Sequence, residues 1–353
     1  MNDILLSAYQ PKSECVVQEH LIMKPRFPVV DIHMHMGSLV LGKQYEERYD
    51  TELFIRNLAA YGIKHLVNLD GAWADERDRM FRKIGNHGNT ITTFVWIDVS
   101  KIDEPDFAEM IRTHLRSSYQ KGARGIKMWK DISLNQKDKS GAYIRTDDPR
   151  LDVVYETVAE LKIPVLLHIA DPVAFFKPID AYNERFEELH ANPDWSFLKE
   201  DQYSFVELME MQDQMIAAHP NTTFIIAHCG SYSENLAHVA QRLDRFPNMY
   251  IDITARIAEL GRVPYSARAF FLKYQDRILY GTDCTPLDLS IQRVYFRFLE
   301  TFDEYFEYQQ AGEQPGQGRW RIYGIGLPDE VLKKVYYQNA CKILRLDEHK
   351  ITA

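Results

Sequence analysis

Eight short apolar runs, alternating with segments of helical period, restrict what this chain can fold into more than any other feature. The first run enters from Phe27-Pro28-Val29-Val30 and ends in Asp31-Ile32-His33-Met34-His35. The others span residues 63–69, 90–99, 123–129, 163–169, 222–228, 248–253 and 277–280. Helical spacing occupies 51–61, 74–84, 106–119, 148–161 and 205–218. Strands that alternate with helices predict a parallel sheet. Eight of them, nearly continuous in apolar residues, favour an α/β fold of the closed (β/α)8 TIM-barrel kind over an open doubly wound sheet. No GxGxxG follows the first run, which argues against a dinucleotide fold. A chain of 353 residues suits one barrel with insertions. The expected organisation is an N-terminal extension, 1–27, and a single domain, 28–353, with a lid insertion between strands five and six at about 171–200.

A formal charge of -9 leaves no basic stripe for phosphates and excludes general nucleic-acid binding. No run of eighteen apolar residues is present, so no membrane span is expected. Residues 1–17 lack a basic n-region, so no signal peptide is expected. Cys15, Cys229, Cys284 and Cys341 have no zinc-like spacing, which makes a reduced, cytoplasmic setting the default.

In a parallel barrel all strands end at one face, and that face carries the active site. His33 and His35 share one side of the first strand by period-two alternation. His168 closes the fifth run, His228 the sixth, and Asp283 follows the eighth. Any one of these fits a buried histidine or a capping aspartate; together they are the donors a metal site needs. Imidazole and carboxylate without thiolate suit zinc, with manganese or iron(II) as substitutes. By the same alternation Cys229 and Cys284 point to the other face, away from any nucleophilic role.

The segments DIHMHMG (31–37), GIKMWK (125–130), LLHIAD (166–171), IIAHCG (225–230) and YGTDC (280–284), with the terminal stretch 326–344, resemble the amidohydrolase superfamily, in its amidohydrolase-related branch. That resemblance implies a barrel enzyme with one divalent metal held by His33, His35, His168 and Asp283, and with His228 and Asp283 as catalytic residues. In a hydrolase of this type Asp283 accepts the proton of the attacking water, and His228 stabilises the oxyanion or donates to the leaving group. The same constellation also serves a non-oxidative decarboxylase or hydratase acting on a related acid. Lys127 leaves the metal count open. In some branches a carboxylated lysine on the fourth strand bridges two ions, and His168 with His228 would then serve the second; otherwise Lys127 pairs with Asp283 or with a substrate carboxylate.

The insertion is too long for an ordinary βα loop and rich in aromatics. Phe175, Phe176, Tyr182 and Arg185 are its candidate substrate residues, with Arg185 as a carboxylate clamp. Against this, the aromatics can simply pack the insertion down and Arg185 can pair with a neighbouring glutamate. Trp73, Lys127, Trp129 and Arg256 complete the candidate mouth. The expected partner is a small molecule. Residues 294–310, aromatic for an outer helix, suit an interface in a homodimer or larger homo-oligomer, or packing against 320–323 of the same chain.

Overall fold

The computed structural model describes residues 3–5, 8, 9, 11–309 and 316–353. Its centre is a sheet of eight parallel strands in sequence order: β1 (Val29–Met34), β2 (Ile63–Asn68), β3 (Ile91–Val95), β4 (Ala123–Met128), β5 (Val165–Leu167), β6 (Phe224–Ile226), β7 (Met249–Asp252) and β8 (Ile278–Leu279). The sheet closes on itself. Met34 bridges Cys284 in parallel, Ile32 N–H donates to Tyr280 O at 3.0 Å, and Asp283 N–H donates to His33 O at 2.9 Å. Strands this apolar need cover on both faces, and the barrel supplies it: Val29, Val30, Val165, Leu166, Leu167, Ile225 and Ile226 are wholly buried.

Two details of closure position the site. Gly281 follows β8 where a Cβ would lie 2.5 Å from Thr254 Oγ1 and 3.0 Å from His33 Cβ, so only glycine lets this turn press against β1. Asn339, in the terminal helix Asn339–Leu344, donates to Gln275 O and Ile278 O at 2.8 Å each. That bond pair fixes the short β8.

The sequence reading differs from the structure in extent rather than kind. The sixth strand stops at Ile226, and the chain then turns through left-handed His228 and Cys229, with φ of 56° and 57°. The aromatic segment 294–310 is helical only within Ile291–Glu300. Beyond it Phe306 bridges Ile322 and Tyr308 stacks on Trp320 with centroids 6.1 Å apart, so these aromatics pack within the chain; position 310 lies outside the described residues. Among the described residues no helix is long and apolar enough to cross a membrane.

His65 makes the barrel wall sensitive to acid. Its ring is buried, with Nδ1 3.0 Å from Asn89 O and Nε2 2.8 Å from Thr92 Oγ1. A carbonyl only accepts, so Nδ1 carries the proton and the ring is neutral. Burial pushes its pKa down to about 4. Because the folded pKa lies below the unfolded one, the neutral ring's contribution is intact above pH 6.5 and is lost as pH falls toward 4, by roughly 3 kcal/mol. In urea unfolding, His65→Gln is expected to be the less stable protein at pH 7, with a gap to wild type that shrinks steadily by pH 4.5.

Candidate metal centre

His33 and His35 leave the carboxyl end of β1 on one side, and Asp283 faces them from beyond β8. Their ligand atoms lie within 4.8 Å of one another. His35 Nε2 is 3.0 Å and His33 Nε2 3.6 Å from Asp283 Oδ1. Both imidazoles are buried, whereas the Asp283 side chain is 34% exposed, so the cluster opens to solvent on the carboxylate side. Each outer nitrogen is tied down. His33 Nδ1 is 2.8 Å from Asp252 Oδ2, and His35 Nδ1 is 2.8 Å from Asp70 Oδ1. An ionised carboxylate only accepts, so both Nδ1 atoms carry protons and both Nε2 atoms turn inward, where a metal would take the place of the proton that His35 Nε2 shares with Asp283. A carboxylate behind each imidazole, with lone pairs converging in front, is the donor arrangement of a divalent metal site. The residues present fit such an ion.

The charges agree with that reading. Burial alone would lower the His35 pKa, but Asp70 and Asp283 outweigh it and push it up to about 9. Asp283 is held well below the usual carboxylate range: burial opposes ionisation, and His33 and His35 overcome it. In the absence of metal, a proton on His35 therefore does the work of a cation.

His228 and His168 form the second half of the site. The left-handed turn at His228 is fixed by Asp252 Oδ1, which accepts from His228 N–H at 2.8 Å and from Thr254 N–H at 3.1 Å. His228 Nδ1 donates to Thr254 O at 3.0 Å. His168 Nε2 lies 3.2 Å from Asp171 Oδ1, and Asp171 is itself paired with Lys130. Both remaining lone pairs, His228 Nε2 and His168 Nδ1, then face each other across 3.3 Å. Burial holds His168 near pKa 4 and His228 well below its ordinary value. Two buried lone pairs in opposition need a shared proton or a cation nearby. His168, expected as a fourth ligand, is not part of the tight triad; its ring lies 4.2 Å from that of His228.

The candidate substrate residues divide. Lys127 is wholly buried, its Nζ 3.5 Å from His33 Nε2 and 4.7 Å from the Trp129 ring centre. Burial pushes its pKa down to about 8. Trp129 lies against His35, centroids 5.4 Å apart. Both border the triad. Arg256 is buried, with Nη1 donating to Ala255 O at 2.9 Å. Of the two readings open for Arg185, its contacts match the pairing one: its guanidinium is buried in ion pairs with Glu188 and Glu259. Phe176 packs on Phe197 and Phe205, Phe175 stacks on Trp195, and Tyr182 is exposed. Trp73 stacks on His114 at 3.7 Å.

Asp70, Asp252 and Asp171 are the residues sequence reading passed over. The signal was there, since Asp70 follows β2 and Asp252 ends β7, at the same face as the histidines. Asp252→Asn and Asp70→Asn are each expected to weaken zinc affinity 10- to 100-fold in competition with a chromogenic chelator, while the far-UV spectrum stays unchanged. Calorimetry in buffers of different ionisation enthalpy is expected to show about one proton released per zinc bound at pH 7.

The amidohydrolase family model matches residues 30–346. A search of curated proteins finds no match. Among solved structures, a 2,6-dihydroxybenzoate decarboxylase bound to 2,6-dihydroxybenzoate is 16% identical with a TM-score of 0.55, covering 91% of this chain and 100% of its own. A 4-oxalomesaconate hydratase from Rhodopseudomonas palustris is 12% identical with a TM-score of 0.52, covering 90% and 95%. A candidate 2-pyrone-4,6-dicarboxylic acid hydrolase from Pseudomonas putida is 12% identical with a TM-score of 0.50, covering 91% and 99%. At these identities the structures speak to the fold alone. With the family match spanning nearly the whole barrel, the chain belongs to the amidohydrolase family.

Proposed function

We propose that the protein is a metal-dependent hydrolase that cleaves an amide, ester or lactone bond in a small carboxylate-bearing molecule. The observation that carries this reading is the pair of carboxylate-backed imidazoles converging on Asp283. His33, His35 and Asp283 would hold one divalent ion, with His168 as the fourth donor. Nitrogen and oxygen donors without thiolate suit zinc. When bound, such an ion supplies Lewis acidity and makes water acidic near neutral pH.

The chain's own residues supply the rest. Asp283 is the partly exposed carboxylate of the group and takes the proton of the attacking water. His228 is neutral, with Nδ1–H fixed on Thr254 O, so Nε2 is the atom that receives that water proton from Asp283 and delivers it to the leaving group. Lys127 and Trp129 receive the substrate's acid end. In this reading residues 28–353 are one domain, and 171–200 form a lid held down by the Arg185 ion pairs. Cys229, Cys284 and Cys341 are buried free thiols, which suits a reducing compartment.

The test is a screen of lactones, amides and aromatic acids against the zinc- and manganese-loaded protein, with product analysis. The expected product contains one added water, and no carbon dioxide is released. His228→Asn is expected to lower kcat by about 10²- to 10⁴-fold with full metal content. Carbon dioxide release without net addition of water contradicts a hydrolase and makes the protein a lyase.

A further inference from the structure

The insertion at 171–200 begins on a site histidine. Asp171, its first residue, accepts from His168 Nε2–H at 3.2 Å through Oδ1 and pairs with Lys130 through Oδ2. An ion-paired carboxylate only accepts, so the ring proton of His168 is on Nε2, and Nδ1 is left to face His228 Nε2. Lys130 stands two residues beyond β4. Its Nζ also lies 5.3 Å from the centre of the Phe197 ring, near the other end of the insertion.

Phe197 is itself tied to the first leg. Its N–H donates to Phe175 O at 2.8 Å, and its buried ring packs on Phe176 with centroids 5.4 Å apart. One ammonium therefore touches the start of the insertion, a ring near its end and, through Asp171, the orientation of His168. The Lys130 side chain is 27% exposed, so water is its alternative partner. An ammonium is strongly hydrated, and the ring face replaces part of that water only while Phe197 is in place.

We infer that Lys130 is a positioning residue that couples the seating of the insertion to the aim of His168. While Phe197 covers the ammonium, Lys130 is held against Asp171, and Asp171 keeps His168 Nδ1 toward the site. When the insertion lifts, the ammonium passes to water, Asp171 loses its anchor, and the His168 ring is free to turn. Such coupling is reciprocal: whatever binds the aimed His168 also seats the insertion, by the same factor. The inference rests on His168 as a metal donor and not on hydrolysis, since a decarboxylase or hydratase would use the same coupling.

Two measurements on the full chain test it. Hydrogen exchange at the amides of Phe197 and of Val173, which donates to Glu234 Oε1 at 2.9 Å, reads the seating of the insertion; amides of the helix Phe107–Gln120 are the control for general stabilisation. Competition with a chromogenic chelator reads zinc affinity. In the wild type, zinc is expected to slow exchange at Val173 and Phe197 about fivefold or more beyond the control. Lys130→Met is expected to weaken zinc binding about tenfold and to reduce the zinc effect on exchange to less than about twofold. Lys130→Arg, which keeps the charge and the ring contact, is expected to restore both. A purely structural role for Lys130 would speed exchange alike with and without zinc and leave zinc affinity unchanged, and that outcome overturns the inference. So does a wild type whose exchange at these amides is indifferent to zinc, a result that decides the matter even if Lys130→Met does not fold, and so does a wild type that binds no zinc. Zinc-dependent protection in a protein that releases carbon dioxide keeps the inference and removes the hydrolase reading. Hydrolysis without that protection does the reverse.

Discussion

One buried carboxylate, Asp252, holds the two halves of the site in register. Its Oδ2 orients His33, and its Oδ1 accepts the backbone N–H groups of His228 and Thr254. A carboxylate with no exposure is costly unless its lone pairs are filled. Burial raises its pKa, and the hydrogen bonds and the cationic side chains around it pull the other way. The interactions that stabilise Asp252 in the interior are therefore the same ones that aim His33 and force the chain at His228 into the left-handed region. Left-handed backbone at a non-glycine residue costs of order 1 kcal/mol or more and persists only where its surroundings over-determine it. Here they do.

The barrel was legible because its signal repeats: eight apolar runs with helical periods between them leave few alternatives. His33, His35 and Asp283 were legible for a related reason, since parallel strands deliver their ends to one mouth. What periodicity missed was the local turn. Alternation carried the sixth strand through His228, whereas hydrogen bonds from Asp252, a residue distant in sequence, set the actual backbone there. Asp70 and Asp252 were passed over because a carboxylate at a strand end looks like a cap until a histidine is seen against it. Arg185 stayed open between a clamp and a pair with a glutamate because one of its partners, Glu259, is 74 residues away.

Several buried ionic groups are paired in sets, as in Arg185 with Glu188 and Glu259, or Asp171 with Lys130 and His168. Breaking one partner of such a set leaves an uncompensated charge, which is far more damaging than replacing the whole set. Lys127 is not part of such a set among the described residues. An isolated buried cation is tolerated only where something anionic visits or where the group gives up its charge, and Lys127 stands next to the cluster of His33, His35 and Asp283.

The closure of the barrel has a mechanical meaning. β8 is only two residues long, and among the bonds that join the segment after it to β1, Thr282 Oγ1 to Asp31 Oδ2 connects positions 251 residues apart. His33 and His35 lie on one side of this seam and Asp283 on the other, so an ion shared by them would act as a clasp between the beginning and the end of the barrel. Closing a loop of that size costs on the order of 5 kcal/mol in chain entropy. The seam is thus where the first and last strands of the ring meet, and where a bound ion would join them. Demetallation would loosen the barrel at its join, and the site would double as the fastener of the fold that builds it.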